Sequence, residues 1–233
     1  MTRMSSPKAD YREYPKTLDR DDLWRQVRRT VNGKPVSEEQ ISMIVQAIRI
    51  KLRLCTDDIM LDLACGNGAL GNYLIDDCTM IHGVDWSEYL IEVANSRFAV
   101  PDRTTFLVDD AAHYIENEPD PTRFTKVLCY GSFSYFSEAD AVKVLTGLAR
   151  RFVNVERVLV GNLPDPARAD RFYPAGKDYC KELQDHTAPI GIWRSESELR
   201  DLGSMAGWKL EITLMPSDFY AANYRFDAVL TRW

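Results

Sequence analysis

Residues 59–68 read Ile-Met-Leu-Asp-Leu-Ala-Cys-Gly-Asn-Gly, and the reading of this stretch decides the fold. A short apolar run bounded by glycine is a buried strand. It runs directly into two close glycines, and a helical pattern follows from Ala69 to about Asp77. Strand, glycine turn and helix is the arrangement in which backbone N–H groups at a helix N-terminus meet a nucleotide-like ligand. Asp62, a carboxylate near the end of the strand and four residues before Gly66, discriminates among such ligands.

Gly66, Gly68 and Gly71 also satisfy G-x-G-x-x-G, the fingerprint of a dinucleotide site that rests a pyrophosphate on the turn. A carboxylate a few ångströms away repels that pyrophosphate, several times more strongly in a partly desolvated site than in water. A ligand with an ammonium group and no phosphate is attracted instead. S-adenosylmethionine, with its cationic amino acid tail, sulfonium, ribose and adenine, is such a ligand. The segment resembles the cofactor loop of class I S-adenosylmethionine-dependent methyltransferases, whose pattern Asp/Glu-x-x-x-Gly-x-Gly is matched by Asp62, Gly66 and Gly68. Ala64 belongs to the same loop. The bland alternative is a glycine-rich turn with a helix-capping Asp.

The chain has 233 residues, 45% of them hydrophobic, enough for one sizeable core; a single domain with an N-terminal extension is expected. The formal charge of −6 argues against a large phosphate-tracking surface, so no nucleic-acid partner is expected. Cysteines 55, 65, 78, 129 and 180 are scattered without a C-x-x-C pair, which fits a reduced, cytoplasmic protein better than a disulfide framework or a zinc site. The N-terminus lacks the apolar core of a signal peptide, and no apolar run approaches the roughly 20 residues that span a bilayer.

Residues 1–17 are polar and carry two prolines, and read as an arm or strap. Leu18 to Val31 reads as a helix started by Asp19, Asp21 and Asp22, and Asn32-Gly33-Lys34-Pro35 breaks the chain. Ser37-Glu38-Glu39-Gln40 is a capping box that opens a helix with Ile41, Ile44, Val45, Ile48 and Leu52 on one stripe. From Ile59, strands expected at 59–63, 80–84, 104–108, 125–130 and 155–160 alternate with helices at 69–77, 87–97, 111–117 and 138–151. Such alternation builds a parallel sheet covered on both faces. Residues 161–192 hold four prolines and many aromatics and read as an insertion. A second capping box at Ser195–Glu198 opens a helix that Gly203 or Gly207 ends. Trp208–Leu214 and Phe226–Thr231 then form an antiparallel pair. The resemblance now covers about residues 37–233, and it implies a Rossmann-like α/β sheet of seven strands, mostly parallel with an antiparallel C-terminal strand. Residues 1–36 are expected as an N-terminal arm and lid helix, and 37–233 as the methyltransferase domain with a substrate-binding insertion at about 161–192.

Asp85, at the end of the second strand and about 20 positions beyond the glycines, can accept both ribose hydroxyls through its two oxygens. Trp86 offers an apolar face to adenine. In the family a carboxylate at the end of the third strand takes the adenine amino group; Asp110-Ala111 matches best, with Asp109 close behind, and one of the two acids is expected to cap the helix at 111. Cys129-Tyr130-Gly131-Ser132-Phe133-Ser134-Tyr135-Phe136 follows the fourth strand, where the family places the departing methyl group. Tyr130 is the candidate here for both cofactor contact and chemistry, and Tyr135 a further aromatic of the site. An aromatic face attracts a sulfonium or ammonium by about 0.5 to 2 kcal/mol. The Asn/Asp-Pro-Pro-Tyr/Phe signature of nucleic-acid and glutamine amino methyltransferases is missing.

Methyl transfer from a sulfonium is an in-line displacement, so orientation and exclusion of water are the main tasks, worth up to about 7 to 11 kcal/mol. A base is needed only where the nucleophile must lose a proton. Of the three histidines, His82 reads as structural, His113 as a cover for the cofactor, and His186, in the inserted segment, as the candidate base. Tyr14, in the N-terminal part, is a further catalytic candidate. Arg25, Arg28 and Arg29 at helical spacing read as a solvated face before a phosphate clamp. No metal site is expected, and a homodimer is the assembly left open. The functional expectation is a metal-independent S-adenosylmethionine-dependent enzyme methylating oxygen or nitrogen of a small polar metabolite such as a sugar, sugar nucleotide or natural-product intermediate. The alternatives are a non-catalytic S-adenosylmethionine-binding partner or sensor, and an NAD-dependent oxidoreductase.

Overall fold

The computed structural model describes residues 7–233; the first six residues of the expected arm lie outside them. The rest of the arm is helical rather than extended: α1 spans Pro7–Glu13 and a 3-10 turn spans Tyr14–Thr17. The expected helix from Leu18 to Val31 shrinks to a single turn, α2, Leu23–Gln26. Arg28 turns the chain at φ 51°, and β1 (Thr30–Val31) pairs antiparallel with β2 (Lys34–Pro35). Asn32 and Gly33, at φ 50° and 75°, are the two-residue hairpin turn with both central residues left-handed that an Asn-Gly pair favours.

α3 (Glu38–Leu52) forms where its stripe predicts, with Ile41, Ile44, Val45, Ile48 and Leu52 buried. Only half of its expected capping box is present. Ser37 accepts from the Gln40 N–H, but the Gln40 side chain donates to the Asp218 carbonyl and accepts from the Tyr220 N–H. Helix start and closing hairpin are thereby tied together.

The central strands are β3 (Ile59–Leu63), β4 (Met80–Asp85), β5 (Thr104–Val108), β6 (Lys126–Tyr130), β7 (Arg157–Pro164), β8 (Lys209–Thr213) and β9 (Arg225–Thr231). They form one seven-stranded sheet in the order β5-β4-β3-β6-β7-β9-β8. β9 alone runs antiparallel to its neighbours. The connecting helices are α4 (Ala69–Asn72), α5 (Glu88–Phe98), α6 (Ala111–Asn117), α7 (Glu138–Arg151) and α8 (Glu196–Ala206). Strands buried on both faces carry continuous apolar runs. In β3, Leu61 and Leu63 join the core under α6, α7 and α8, whereas Met60 joins the core under α3. Asp62 therefore faces the α3 side with Met60. α8 has both halves of its capping box and ends at Gly207 (φ 93°), while Gly203 stays inside the helix against Leu210.

The segment between β7 and α8 is pinned to the β6–α7 connection. Ile192 N–H donates to the Ser134 carbonyl at 2.7 Å, and Tyr135 Oη donates to the Pro189 carbonyl at 2.8 Å. Its aromatics form a small core of their own around Tyr173 and Trp193. Gly191 (φ 75°) makes this closure possible, because a Cβ there would lie 2.3 Å from the Ser134 carbonyl oxygen. Gly191→Ala is expected to cost about 1–3 kcal/mol from combined backbone strain and overlap. Gly176→Ala, at φ 83° in open space, is expected to cost only the left-handed strain, about 1 kcal/mol. Urea unfolding of both variants checks the difference.

Candidate functional site

The strand order reverses direction about β3, which lies between β4 and β6. In open α/β sheets this is where ligands bind, beyond the carboxyl ends of the strands. Here the strand ends open into a cavity of about 380 Å³. Asp62, Ala64, Gly66, Asp85, Trp86, Asp109, Asp110 and Ala111 line one half; Tyr130, Asn162, Tyr220 and Arg225 line the other. Tyr11, Trp24 and Arg29 reach in from the N-terminal segment.

The glycine turn is tight. Ala64, Gly66 and Gly68 have φ of 57°, 61° and 74°. A Cβ on Gly66 would lie 2.7 Å from Val27 Cγ1, and one on Gly68 2.9 Å from Phe106 Cε1. Gly68 serves the turn from outside the cavity lining. The third glycine of the G-x-G-x-x-G pattern, Gly71, makes room for a carboxylate, since its Cβ position lies 3.3 Å from Asp62 Oδ2. Between the first two, Asn67 is buried. Its Nδ2 donates to the Leu23 carbonyl at 2.8 Å and to Gln26 Oε1 at 2.9 Å. This fastens α2 to the turn and sets Arg29, three residues beyond α2, at the cavity.

Both carboxylates beside the glycine turn are buried, Asp62 at 4% and Asp85 at 6% exposure. Burial pushes Asp62 up to about 7; the Arg29 guanidinium opposes this and Asp85 adds to it. Burial likewise pushes Asp85 up to about 6, against hydrogen bonds from two backbone N–H groups. Those donors are Ser87 N–H to Oδ1 and Gly66 N–H to Oδ2, each at 2.9 Å. Ser87, at the N-cap of α5, makes no side-chain cap bond; its Oγ donates to the Tyr11 carbonyl instead. Arg29 stacks over the rings of Tyr130 and Trp24, 5.4 and 5.6 Å from their centroids, and its buried Nη1 has no partner. Of the three arginines read as a solvated face, Arg28 pairs with Asp10 and Arg25 with Asp22; Arg29 departs from that reading.

Asp110 caps α6, its Oδ1 accepting from the N–H groups of Ala112 and His113 at 3.0 and 3.3 Å. Asp109 accepts from Asp110 N–H at 2.8 Å and holds His113 Nδ1 at 2.8 Å. The hydrogen bond that His113 Nδ1 donates to Asp109 raises the His113 pKa, and that ring is exposed. The Arg12 guanidinium lies 4.4 Å over the Trp86 ring, so α1 covers the Trp86 end of the cavity. Tyr11 meets Tyr135 edge to face at 5.7 Å. Tyr130 is buried and its Oη has no partner. His82 is buried beside Tyr114, and burial, with Arg123, lowers it to about 4, which makes it a neutral structural ring.

The structure does not bring two of the candidates for chemistry to the cavity. His186 is exposed on the inserted segment and is absent from the lining. Tyr14 is also outside the lining, its ring under Arg28 at 4.2 Å. Sequence reasoning missed Asn162 and Arg225. The available signal was a Gly-Asn step inside a strand, which marks a bulge, and a lone Arg opening the last strand.

Residues 60–153 match a protein-family model described as a methyltransferase domain. A probable cobalt-precorrin-6B C(15)-methyltransferase (decarboxylating) of Methanococcus vannielii is 33% identical over 63 residues, 27% of this chain and 33% of that protein; the match spans about a third of the relative's length. Among solved structures, the geranyl diphosphate C-methyltransferase of Streptomyces coelicolor A3(2), determined with Mg2+, geranyl diphosphate and S-adenosyl-L-homocysteine, aligns at TM-score 0.66 and 15% identity, covering 100% of both chains. The magnesium protoporphyrin IX methyltransferase of Synechocystis PCC 6803 aligns at TM-score 0.62 and 15% identity over 97% of each chain, with S-adenosylhomocysteine bound. Residues 60–153 thus match a methyltransferase domain, and the seven-stranded sheet has the fold of these solved methyltransferases.

Proposed function

We propose that this chain is an enzyme that transfers the methyl group of S-adenosylmethionine to an oxygen or nitrogen of a small polar metabolite, without a metal. One observation carries the reading: a buried carboxylate, Asp62, and a guanidinium with an unpartnered nitrogen, Arg29, face the same cavity beside the glycine turn. That is the charge pattern of an amino acid tail, whose ammonium goes to Asp62 and whose carboxylate goes to Arg29. A pyrophosphate would meet Asp62 instead, which disfavours a dinucleotide. In this reading Asp85 holds the ribose hydroxyls, Trp86 covers adenine, and Asp110-Ala111, with Asp109 alongside, reads its edge. Tyr130 stands where the methyl group leaves.

No histidine lines the cavity among the described residues, and burial keeps the Tyr130 hydroxyl protonated well above its ordinary range. An acceptor that needs no base, an amine or an oxygen already ionised, suits this geometry. His186 acts as base in this proposal only if the segment that carries it moves. α1, folded over Trp86 and Tyr135, is the lid that excludes water. The five cysteines are free thiols, and no helix among the described residues is long and apolar enough to cross a membrane; a reducing, cytoplasmic setting fits both.

Formation of S-adenosylhomocysteine from S-adenosylmethionine across a metabolite panel tests the activity. Asp62→Asn is expected to weaken S-adenosylmethionine binding by about 1 to 3 kcal/mol, the scale of a charged hydrogen bond; unchanged affinity in a folded variant removes the assignment. Binding the ammonium requires ionised Asp62, so affinity is expected to rise with pH through the range of about 6 to 7, with a proton released on binding below it. Calorimetry in two buffers of different ionisation enthalpy measures that proton.

The unliganded chain should behave oppositely. Asp62 and Asp85 bind protons more tightly folded, near 7 and 6, than unfolded, near 3.8. Their contribution to stability is therefore full below about 4 and lost as pH rises to about 7. Asp62→Asn should flatten part of that decline in urea unfolding measured between those limits.

A further inference from the structure

We propose that the half of the cavity over β6, β7 and β9 binds an acceptor carrying an oxyanion group, a carboxylate or a phosphate. Arg225 reads that group, and Asn162 orients the hydroxyl or amine to be methylated. The proposal rests on the cofactor reading for the opposite half.

Arg225 opens β9 at the carboxyl edge of the parallel strands and lines the cavity. Its Nη1 donates to the Asn162 carbonyl, and its guanidinium lies 5.0 Å from the Tyr224 ring centroid. The hydroxyls of Tyr224, Tyr220 and Tyr135 lie near it, and no carboxylate forms an ion pair with it among the described residues. The acid two residues along its strand, Asp227, is committed elsewhere. Asp227 Oδ2 accepts from Lys51 Nζ and Oδ1 accepts from the Asn162 N–H, each at 2.6 Å. A guanidinium lining a cavity with no ion-pair partner among the described residues favours an incoming anion, and the planar fork of Arg fits carboxylate or phosphate on two oxygens.

The cofactor does not supply that anion. β9 lies three strands from β3 in the sheet, about 14 Å at the usual spacing, and Arg29 already faces the amino acid tail. Asn162 supports the same reading. It sits at φ 63° where the β7–β9 register shifts between Val160 and Leu163, a bulge that re-aims its side chain. Its peptide is clamped on both sides, by Asp227 at the N–H and by Arg225 at the carbonyl. Strain held in place this way clusters at binding sites. Its Oδ1 is buried without a partner, as is the Tyr130 hydroxyl. An acceptor oxygen and a donor hydroxyl thus stand beside an uncompensated guanidinium. That set matches a hydroxy- or amino-substituted oxyanion.

The test uses the full chain loaded with S-adenosylhomocysteine and three phenyl-ring probes: benzoate, phenyl phosphate and the neutral benzamide. Thermal unfolding and calorimetry read their binding. At least one anion is expected to bind about tenfold or more tightly than benzamide, the scale of a charged hydrogen bond, and the better of the two identifies carboxylate or phosphate as the source. Arg225→Gln is expected to erase that preference while S-adenosylhomocysteine affinity holds. Asn162→Asp, which sets a carboxylate beside Arg225 and tolerates left-handed backbone, should erase it with the arginine in place. Benzamide binding as tightly as both anions, no anion-dependent stabilisation, or a preference surviving in both variants overturns the proposal. An anion preference in a wild-type chain that fails to bind S-adenosylhomocysteine supports the oxyanion site and removes the cofactor reading alone.

Discussion

Two carboxylates held out of water on neighbouring parallel strands set the terms for the rest of the cavity. Asp62 and Asp85 end the buried runs of β3 and β4, and each ion costs several kcal/mol to bury in real proteins. Asp85 recovers part of that through two backbone N–H donors supplied by the glycine turn and the start of α5. Asp62 has no such donor among the described residues, only the charge of Arg29 nearby. The turn is therefore stable as protein but incomplete as electrostatics. A ligand that brings an ammonium group to Asp62 completes it. This is why the third glycine of the fingerprint serves a carboxylate here: Gly71 leaves the space that Asp62 Oδ2 occupies.

The same constraint shapes the N-terminal segment. A one-turn helix such as α2 has no stability of its own, and it persists because Asn67 reaches out of the glycine turn to Leu23 and Gln26. Gln26 is wholly buried and spends its amide on the carbonyls of Asp19 and Arg20. Arg29 is placed by this network and not by helical periodicity. α1 follows the same logic one layer out. It is held by contacts to cavity residues, Arg12 to Trp86 and Tyr11 to Tyr135 and Ser87, so its position depends on the residues it covers.

These contacts explain which features were legible in the sequence. β3 through α7 were readable because burial on both sheet faces writes a continuous apolar run and most helices a stripe, though the helix expected over 69–77 ends at Asn72 and resumes only as a 3-10 turn at Ile75–Asp77. Asp62 and Asp85 were readable because carboxylates ending buried strands beside a glycine turn are chemically conspicuous. The helix over 18–31 was not, since its polar pattern gives way to tertiary hydrogen bonds from Asn67, some forty residues downstream in the chain. The Asn32-Gly33 hairpin carried a local signal that a helical reading overrode. The inserted segment's His186 had a suitable side chain, but its exposure depends on how residues 161–192 fold back onto Ser134 and Tyr135. Nothing local reveals that.

The two halves of the cavity differ in how they are built, and the difference bears on what each recognises. The glycine turn comes from short-range elements, a strand, a turn and the helix after it, so its geometry follows from about a dozen consecutive residues. The half lined by Tyr130, Asn162, Tyr220 and Arg225 draws on β6, β7 and β9, braced by α3. Lys51, in the last turn of α3, reaches Asp227 on β9, which holds the Asn162 N–H on β7. The pair is nearly dry, at 12% and 1% side-chain exposure. A buried pair of this kind gives little net stability, because desolvation offsets the attraction. What it fixes here is direction. With both Asp227 oxygens occupied, the bulge at Asn162 has one hydrogen-bonding arrangement, and Arg225 on the same strand is left facing tyrosines instead of an acid. Lys51 and the Asn162 N–H thus hold both Asp227 oxygens, while the Arg225 guanidinium lies against the Tyr224 ring.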